Sequence, residues 1–227
     1  FRSVERCEKY GVQAVKVNAN FRDYGCKQRH WQMMQWLAKH QEEYRYVLTI
    51  DARDVVFLGD PFSYSGLAGE GVIVSAEASS YRDCPWNSGD AQRMLEGLRP
   101  DCRGAYDGAW PVINGGHIAG RSRDVLWAEF VRMSIDARAS GATDQASVSF
   151  LSHWVADWNT LFRVVPVSEP WICHGHFYRN WALQVTVEDG YKIKNKDGHM
   201  YRLFHQWDRQ QVPESIRTAI LDTFGTE

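Results

Sequence analysis

The stretch Tyr46-Val-Leu-Thr-Ile-Asp51-Ala-Arg-Asp54-Val-Val-Phe57 sets five residues of high strand propensity ahead of two carboxylates three positions apart. Tyr46–Ile50 reads as a strand, and Asp51 and Asp54 fall just past its carboxyl end. In open α/β sheets ligands sit beyond that end. Two acidic side chains held there repel one another unless a cation or a basic partner intervenes, and a divalent ion satisfies both. Oxygen ligation with open positions suits Mn²⁺ or Mg²⁺, and such an ion would neutralise a bound diphosphate. The competing reading makes one aspartate a turn cap and pairs Arg53 with the other.

Outward from this stretch the chain alternates strands and helices. A strand is expected at Val12–Val17, an apolar-striped helix from Lys27 to His40, and a strand at Gly71–Ser75 after the turn-rich Leu58–Pro61. Asp83 to Asp107 reads as a long excursion with a short helix at Ala91–Leu98. Pro111–Gly120 reads as a glycine-interrupted strand, followed by helices from Ser122 to Arg138 and from Thr143 to Trp154. Leu161–Val167, Ala182–Val187 and Tyr201–His205 then read as antiparallel strands, with hairpin turns at Glu188-Asp-Gly190 and Lys196-Asp-Gly198, before a last helix opened by Pro213. The alternation predicts an α/β fold with a mostly parallel central sheet, helices on both sides and a C-terminal antiparallel portion. The 227 residues, 44% hydrophobic and 24% charged, suit one domain over 1–227 and exclude a disordered chain. No apolar run approaches a membrane span of about 18 residues. Twenty-six basic against 28 acidic side chains, a net charge of −2, argue against nucleic acid as a partner. Five scattered cysteines without a CxxC pair read as reduced and structural. With no signal-peptide core and no N-x-[ST] sequon, a cytoplasmic setting, including the membrane face, is expected, with the secretory pathway left open.

Four further clusters can carry chemistry. Tyr201-Arg-Leu-Phe-His205-Gln-Trp-Asp-Arg209 ends a strand in polar groups: His205 offers a metal nitrogen, and Trp207 or Arg209 can meet a sugar or a phosphate. Taken alone, His205 also fits a hydrogen-bonded structural histidine. Asn114-Gly115-Gly116 allows backbone to approach a ligand closely. Asp144-Gln145 opens a helix, where Asp144 is either a cap or a carboxylate for sugar hydroxyls or proton transfer. His174 and His176 form an HxH pair without a matching second cluster. The ten tryptophans are core fillers or stacking faces for sugars. No P-loop, GxGxxG or GxSxG motif is present.

In order, Asp51-x-x-Asp54, Val74-Ser-Ala-Glu77, Cys84-Pro-Trp86, Asn114-Gly-Gly116, Asp144-Gln145 and His205 resemble the GT-A fold glycosyltransferases. They are most similar to the glycosyltransferase domain of lysyl hydroxylases, procollagen galactosyltransferases and related bacterial sugar transferases. The resemblance implies transfer of glucose or galactose from a UDP-sugar to a hydroxyl acceptor on a glycan, protein or lipid, with Mn²⁺ or Mg²⁺ held by Asp51, Asp54 and His205. It places Asn114, Gly115, Gly116, Gln145 and Trp86 at the donor or sugar, where Trp207 is also expected from its place after His205, and Asp144 at the catalytic centre. Acceptor contacts would come from the loop Tyr81–Trp110 and from Trp171, Phe177, Tyr178 and Trp181. The chain departs from the family in three places. Gly141–Gln145 lacks a longer acidic run, His117 stands where an apolar residue is common, and the first strand of the fold is not seen before Phe1, as expected of a fragment. The alternatives are a non-catalytic nucleotide-sugar or glycan-binding module of the same fold, and a Mg²⁺ phosphohydrolase with Asp51 as nucleophile.

Overall fold

The computed structural model describes residues 26–51, 54–98, 108–136, 143–154, 160–175 and 185–224. The expected strand at Val12–Val17, His176 of the HxH pair and the aromatics Phe177, Tyr178 and Trp181 lie outside these residues. In chain order the elements are α1 (Cys26–His40), β1 (Tyr46–Ile50), β2 (Val55–Phe57), β3 (Val72–Ser80), α2 (Pro85–Leu98), β4 (Pro111–Ile113) and β5 (His117–Arg121). They continue with α3 (Ser122–Asp136), α4 (Asp144–His153), β6 (Phe162–Val165), β7 (Ile172–His174), β8 (Thr186–Glu188), β9 (Lys192–Lys194), β10 (Leu203–His205) and α5 (Glu214–Phe224).

The main sheet runs β1-β5-β3-β4, with β6 alongside β3. β1 and β3 both pair antiparallel with β5, and β6 pairs parallel with β3, so β1, β3 and β6 share one direction. β1 and β3 are thus co-directional, whereas the antiparallel pairing expected of Leu161–Val167 is corrected, because β6 lies parallel to β3. The expectation of a mostly parallel sheet is likewise corrected, because β5 inserts against the common direction between β1 and β3, and β4 also runs against β3. β4 and β5 both run antiparallel to β3, so the short Asn114–Gly116 link carries the chain onward in one direction. A second sheet, β2-β10-β7, mixes an antiparallel and a parallel pair, and β8 and β9 form a hairpin. Three residues, 189–191, join the paired Glu188 and Lys192, and Asp189 and Gly190 turn the chain with positive φ, 52° and 79°.

Period-two alternation assigns the faces. Val72, Val74 and Ala76 of β3 point into a core shared with Leu37 of α1, Met94 and Leu95 of α2, Val125 and Ala128 of α3 and Leu151 of α4. Ile73 points the other way, into a layer with Ala119 of β5, Val165 of β6, Trp171, Ile172 of β7 and Leu203 of β10. The second sheet therefore covers that face of the main sheet. The expected helices on both sides are corrected to α1–α4 on one side and a sheet on the other. The outer face of the second sheet packs Val56, Cys173 and Phe204 against Val212 and against Ile216 and Ile220 of α5. Trp171, expected among the acceptor aromatics, is fully buried between the sheets, so it is a core residue. No helix among the described residues is long and apolar enough to cross a membrane.

Candidate functional site

Asp51 follows the last residue of β1, and its backbone N–H donates to the Gly116 carbonyl at 2.9 Å, which fixes the strand end to the β4–β5 link. Asp54 immediately precedes β2, whose Val55 is the register partner of His205 in β10. The Gln206 N–H donates to the Asp54 carbonyl at 2.6 Å. Two strand ends from different sheets thus meet. One ligand atom from each of Asp51, Asp54 and His205 falls within 4.8 Å of the others.

The contacts inside this group have the form of a cation site. His205 Nε2 lies 3.6 Å from Asp54 Oδ1 and 3.9 Å from Asp51 Oδ2. Both separations are too long for hydrogen bonds, and both lie within the roughly 4.2 Å that an ion about 2.1 Å from each ligand would span. Asp carboxylates turn readily about χ2, which accommodates the remaining spread. Two hard oxygens and one imidazole nitrogen fit Mn²⁺ or Mg²⁺. Burial holds the His205 imidazole below its usual pKa, against the opposing pull of Asp54 and Asp51, and so favours the neutral ring a metal needs. Asp51 keeps 31% of its side-chain surface open, so the group is reachable. Arg209, read from sequence as a phosphate or sugar contact, lies with Nη2 3.2 Å from Asp54 Oδ2 and offsets part of the acidic charge.

Several of the other sequence-predicted residues are tied to Asp51 or to one another. A Cβ on Gly116 would sit 2.6 Å from Asp51 Oδ2, and one on Gly115 would sit 2.5 Å from the Gln145 Cα, so both glycines are dictated by close approach. Asn114 shapes this link: its Oδ1 accepts the Gly116 N–H at 2.9 Å and its Nδ2 donates to buried Glu77 at 2.7 Å. Burial pushes the Glu77 carboxyl up to about 7, with Asn114 partly opposing. Gln145 Nε2 donates to Asn87 Oδ1 at 2.9 Å, which joins α4 to α2 next to Trp86. Trp86 is 57% exposed, whereas Trp207 is partly buried and packs on the outer core of the second sheet. The cap of α4 is Thr143, whose hydroxyl accepts the Ala146 N–H. Asp144 therefore stands in the first turn, with Oδ1 accepting the Gln145 N–H and Oδ2 3.3 Å from His30 Nε2.

Sequence reading did not join three buried groups behind His205. His205 Nδ1 is 3.2 Å from His174 Nδ1, His174 Nε2 is 2.6 Å from Ser75 Oγ, and Ser75 Oγ is 2.6 Å from His117 Nε2. Ser75, His117, His174 and His205 lie two residues from Ile73, Ala119, Ile172 and Leu203 respectively, and so occupy the same inter-sheet face. The available signal was a polar residue two positions from an apolar one in four separate strands. Burial keeps His117 and His174 well below the usual histidine pKa, so both rings are neutral. Cys173, between Ile172 and His174, faces the outer core, and burial pushes its thiol up to about 12, which leaves it inert as the sequence reading expected.

No family model and no curated protein matches the chain. Among solved structures 42 chains match. One is the crystal structure of a glycosyltransferase involved in the glycosylation of the major capsid of PBCV-1, 14% identical, covering 95% of this chain and 87% of that chain at a TM-score of 0.49. A likeness of that size carries no inference about what this chain does.

Proposed function

We propose that the chain is a metal-dependent glycosyltransferase that moves a hexose from a UDP-sugar to a hydroxyl acceptor. The observation that carries this reading is the convergence of Asp51, Asp54 and His205 at the meeting of two strand ends. A divalent cation held there supplies charge neutralisation for a departing diphosphate, an interaction that strengthens as the glycosidic bond breaks.

The remaining residues would position the donor. Asn114, tied to Glu77, holds the half-buried Gly116 beside Asp51, where a sugar would lie against it. Gln145, tied to Asn87, forms the adjoining wall, and the exposed ring of Trp86 offers a stacking face to sugar or acceptor. Trp207 follows the metal-binding strand and would border the donor from the second sheet. Asp144 stands in the first turn of α4, with its Oδ2 3.3 Å from His30 Nε2. At the donor such a carboxylate can stabilise a cation-like anomeric carbon, deprotonate the acceptor hydroxyl or position the sugar.

The test is UDP release from UDP-glucose and UDP-galactose, with and without Mn²⁺. Turnover that requires the ion is expected, together with at least tenfold weaker Mn²⁺ binding in Asp51→Ala, Asp54→Ala and His205→Ala variants that remain folded. Wild-type affinity in all three would remove the site. Asp144→Asn should retain Mn²⁺ binding and lose turnover; unchanged turnover would reduce Asp144 to a helix-end residue. Mn²⁺ and UDP-sugar binding without turnover on any donor would favour the non-catalytic binding module.

A further inference from the structure

We infer that the buried pair Ser75–His117 sets the tautomer of His174 and, through it, of His205, so that His205 presents a bare Nε2 to Asp51 and Asp54. The inference deepens the metal reading and rests on it for its functional meaning, but the proton positions follow from hydrogen-bond accounting alone.

The chain of donors has one end that cannot reverse. The backbone N–H of Ser75 approaches His117 Nε2 at 3.3 Å, and a backbone N–H can only donate. His117 Nε2 is therefore an acceptor, and the neutral ring carries its proton on Nδ1. The Ser75 hydroxyl, 2.6 Å from the same nitrogen, must also donate to it. That leaves the hydroxyl oxygen to accept, and its other neighbour at 2.6 Å, His174 Nε2, must be the donor. With its proton on Nε2, His174 has a bare Nδ1, which at 3.2 Å accepts from His205 Nδ1–H. His205 Nε2 is then the lone-pair nitrogen, facing Asp54 at 3.6 Å and Asp51 at 3.9 Å.

The opposite order would place N–H on His117 Nε2 against the Ser75 backbone N–H, two donors meeting in a buried site, and would turn His205 Nε2–H toward the carboxylates. A ring in that state would be a hydrogen-bond donor to Asp51 and Asp54. Ser75, His117 and His174 are thus positioning residues, fixing a ligand's orientation and protonation from behind, as partners of metal-bound histidines do. Cross-strand register holds them in line. His174 is the direct partner of His205 in the second sheet, and the Ile73–Ala119 pairing of β3 with β5 carries Ser75 opposite His117.

The experiment is long-range ¹H–¹⁵N correlation of the imidazoles in metal-free, ¹⁵N-histidine-labelled protein, with His205 assigned by its loss in His205→Asn. Expected are a protonated Nδ1 and bare Nε2 on His205, and the reverse on His174. A proton on His205 Nε2 overturns the inference. Ser75→Ala should mix the tautomers of His174 and His205 and weaken Mn²⁺ binding about 10- to 100-fold, with Ser75→Thr restoring both. An alanine variant with unchanged tautomers and affinity also overturns it. If Ser75→Ala fails to fold, the wild-type spectrum decides alone. Wild-type protein that shows the expected tautomers and no Mn²⁺ binding counts against the metal reading only, because the spectrum is taken without the ion.

Discussion

Glu77 stands fully within the protein with the Asn114 amide as its hydrogen-bond donor, and burial raises its pKa from 4.5 to about 7. Between those values the folded chain keeps a proton that the unfolded chain has released, so stability falls as pH rises through this window. The loss assigned to Glu77 is on the order of 3 kcal/mol across it. Glu77→Gln should remove that slope, read as the difference between wild-type and variant urea midpoints from pH 4.5 to 7.5; parallel profiles would show that Glu77 is ionised in the fold. Legibility differs sharply among the site's side chains. Asp51 and Asp54 were readable because strand propensity stops where they begin, which places them at a ligand edge without reference to any other segment. Glu77 was quoted within a motif but without a task, since nothing local to β3 shows that Asn114 will meet it.

The link Asn114–Gly116 shows the same contrast at the level of elements. Its glycines were read as a point of close approach, and the approach is real, but toward two different neighbours. A methyl at Gly115 meets the backbone of Gln145 at 2.5–2.8 Å, whereas one at Gly116 meets the Asp51 and Asn114 side chains. Gly115→Ala should therefore cost stability, about 1–3 kcal/mol by chemical denaturation, because the start of α4 must move. Gly116→Ala should leave the melting curve nearly unchanged and weaken Mn²⁺ binding at least tenfold by calorimetry, because the atom displaced belongs to a ligand. Equal effects of the two on both measurements would contradict this division. Helix ends were partly legible. α4 begins where expected, but its cap is Thr143 and not Asp144, the residue read as a possible cap, whereas α5 follows Pro213 as expected through its φ constraint. α2 begins at Pro85 and not at Ala91: proline at a first helical position marks a start, and the surrounding turn-rich composition obscured it.

At the scale of the whole molecule, Asp51 closes the main sheet's first strand while Asp54 and His205 flank the β2–β10 pair of the second sheet, so an ion bound by all three ties the two sheets together. Binding to the folded state alone stabilises by about 2.7 kcal/mol at a hundredfold excess over Kd, which for a chain of this size raises Tm by roughly 5–10 °C. Differential scanning calorimetry with Mn²⁺ should show that rise, chelation should reverse it, and Asp51→Ala should abolish it; a rise that persists in the variant would locate the ion elsewhere. The sequence by itself determined local conformations, namely which runs extend, the Asp189-Gly190 turn and the carboxylates at a strand end, because these depend on propensity and on neighbours a few residues away. Strand direction in the main sheet, the second sheet on its back and the row His205–His174–Ser75–His117 were decided only by the tertiary structure. Period two states which residues of a strand share a face, but not which distant strand that face will meet. The contacts of Ser75 with His117 and His174, 42 and 99 residues away, exist only once the two sheets close over their common apolar layer.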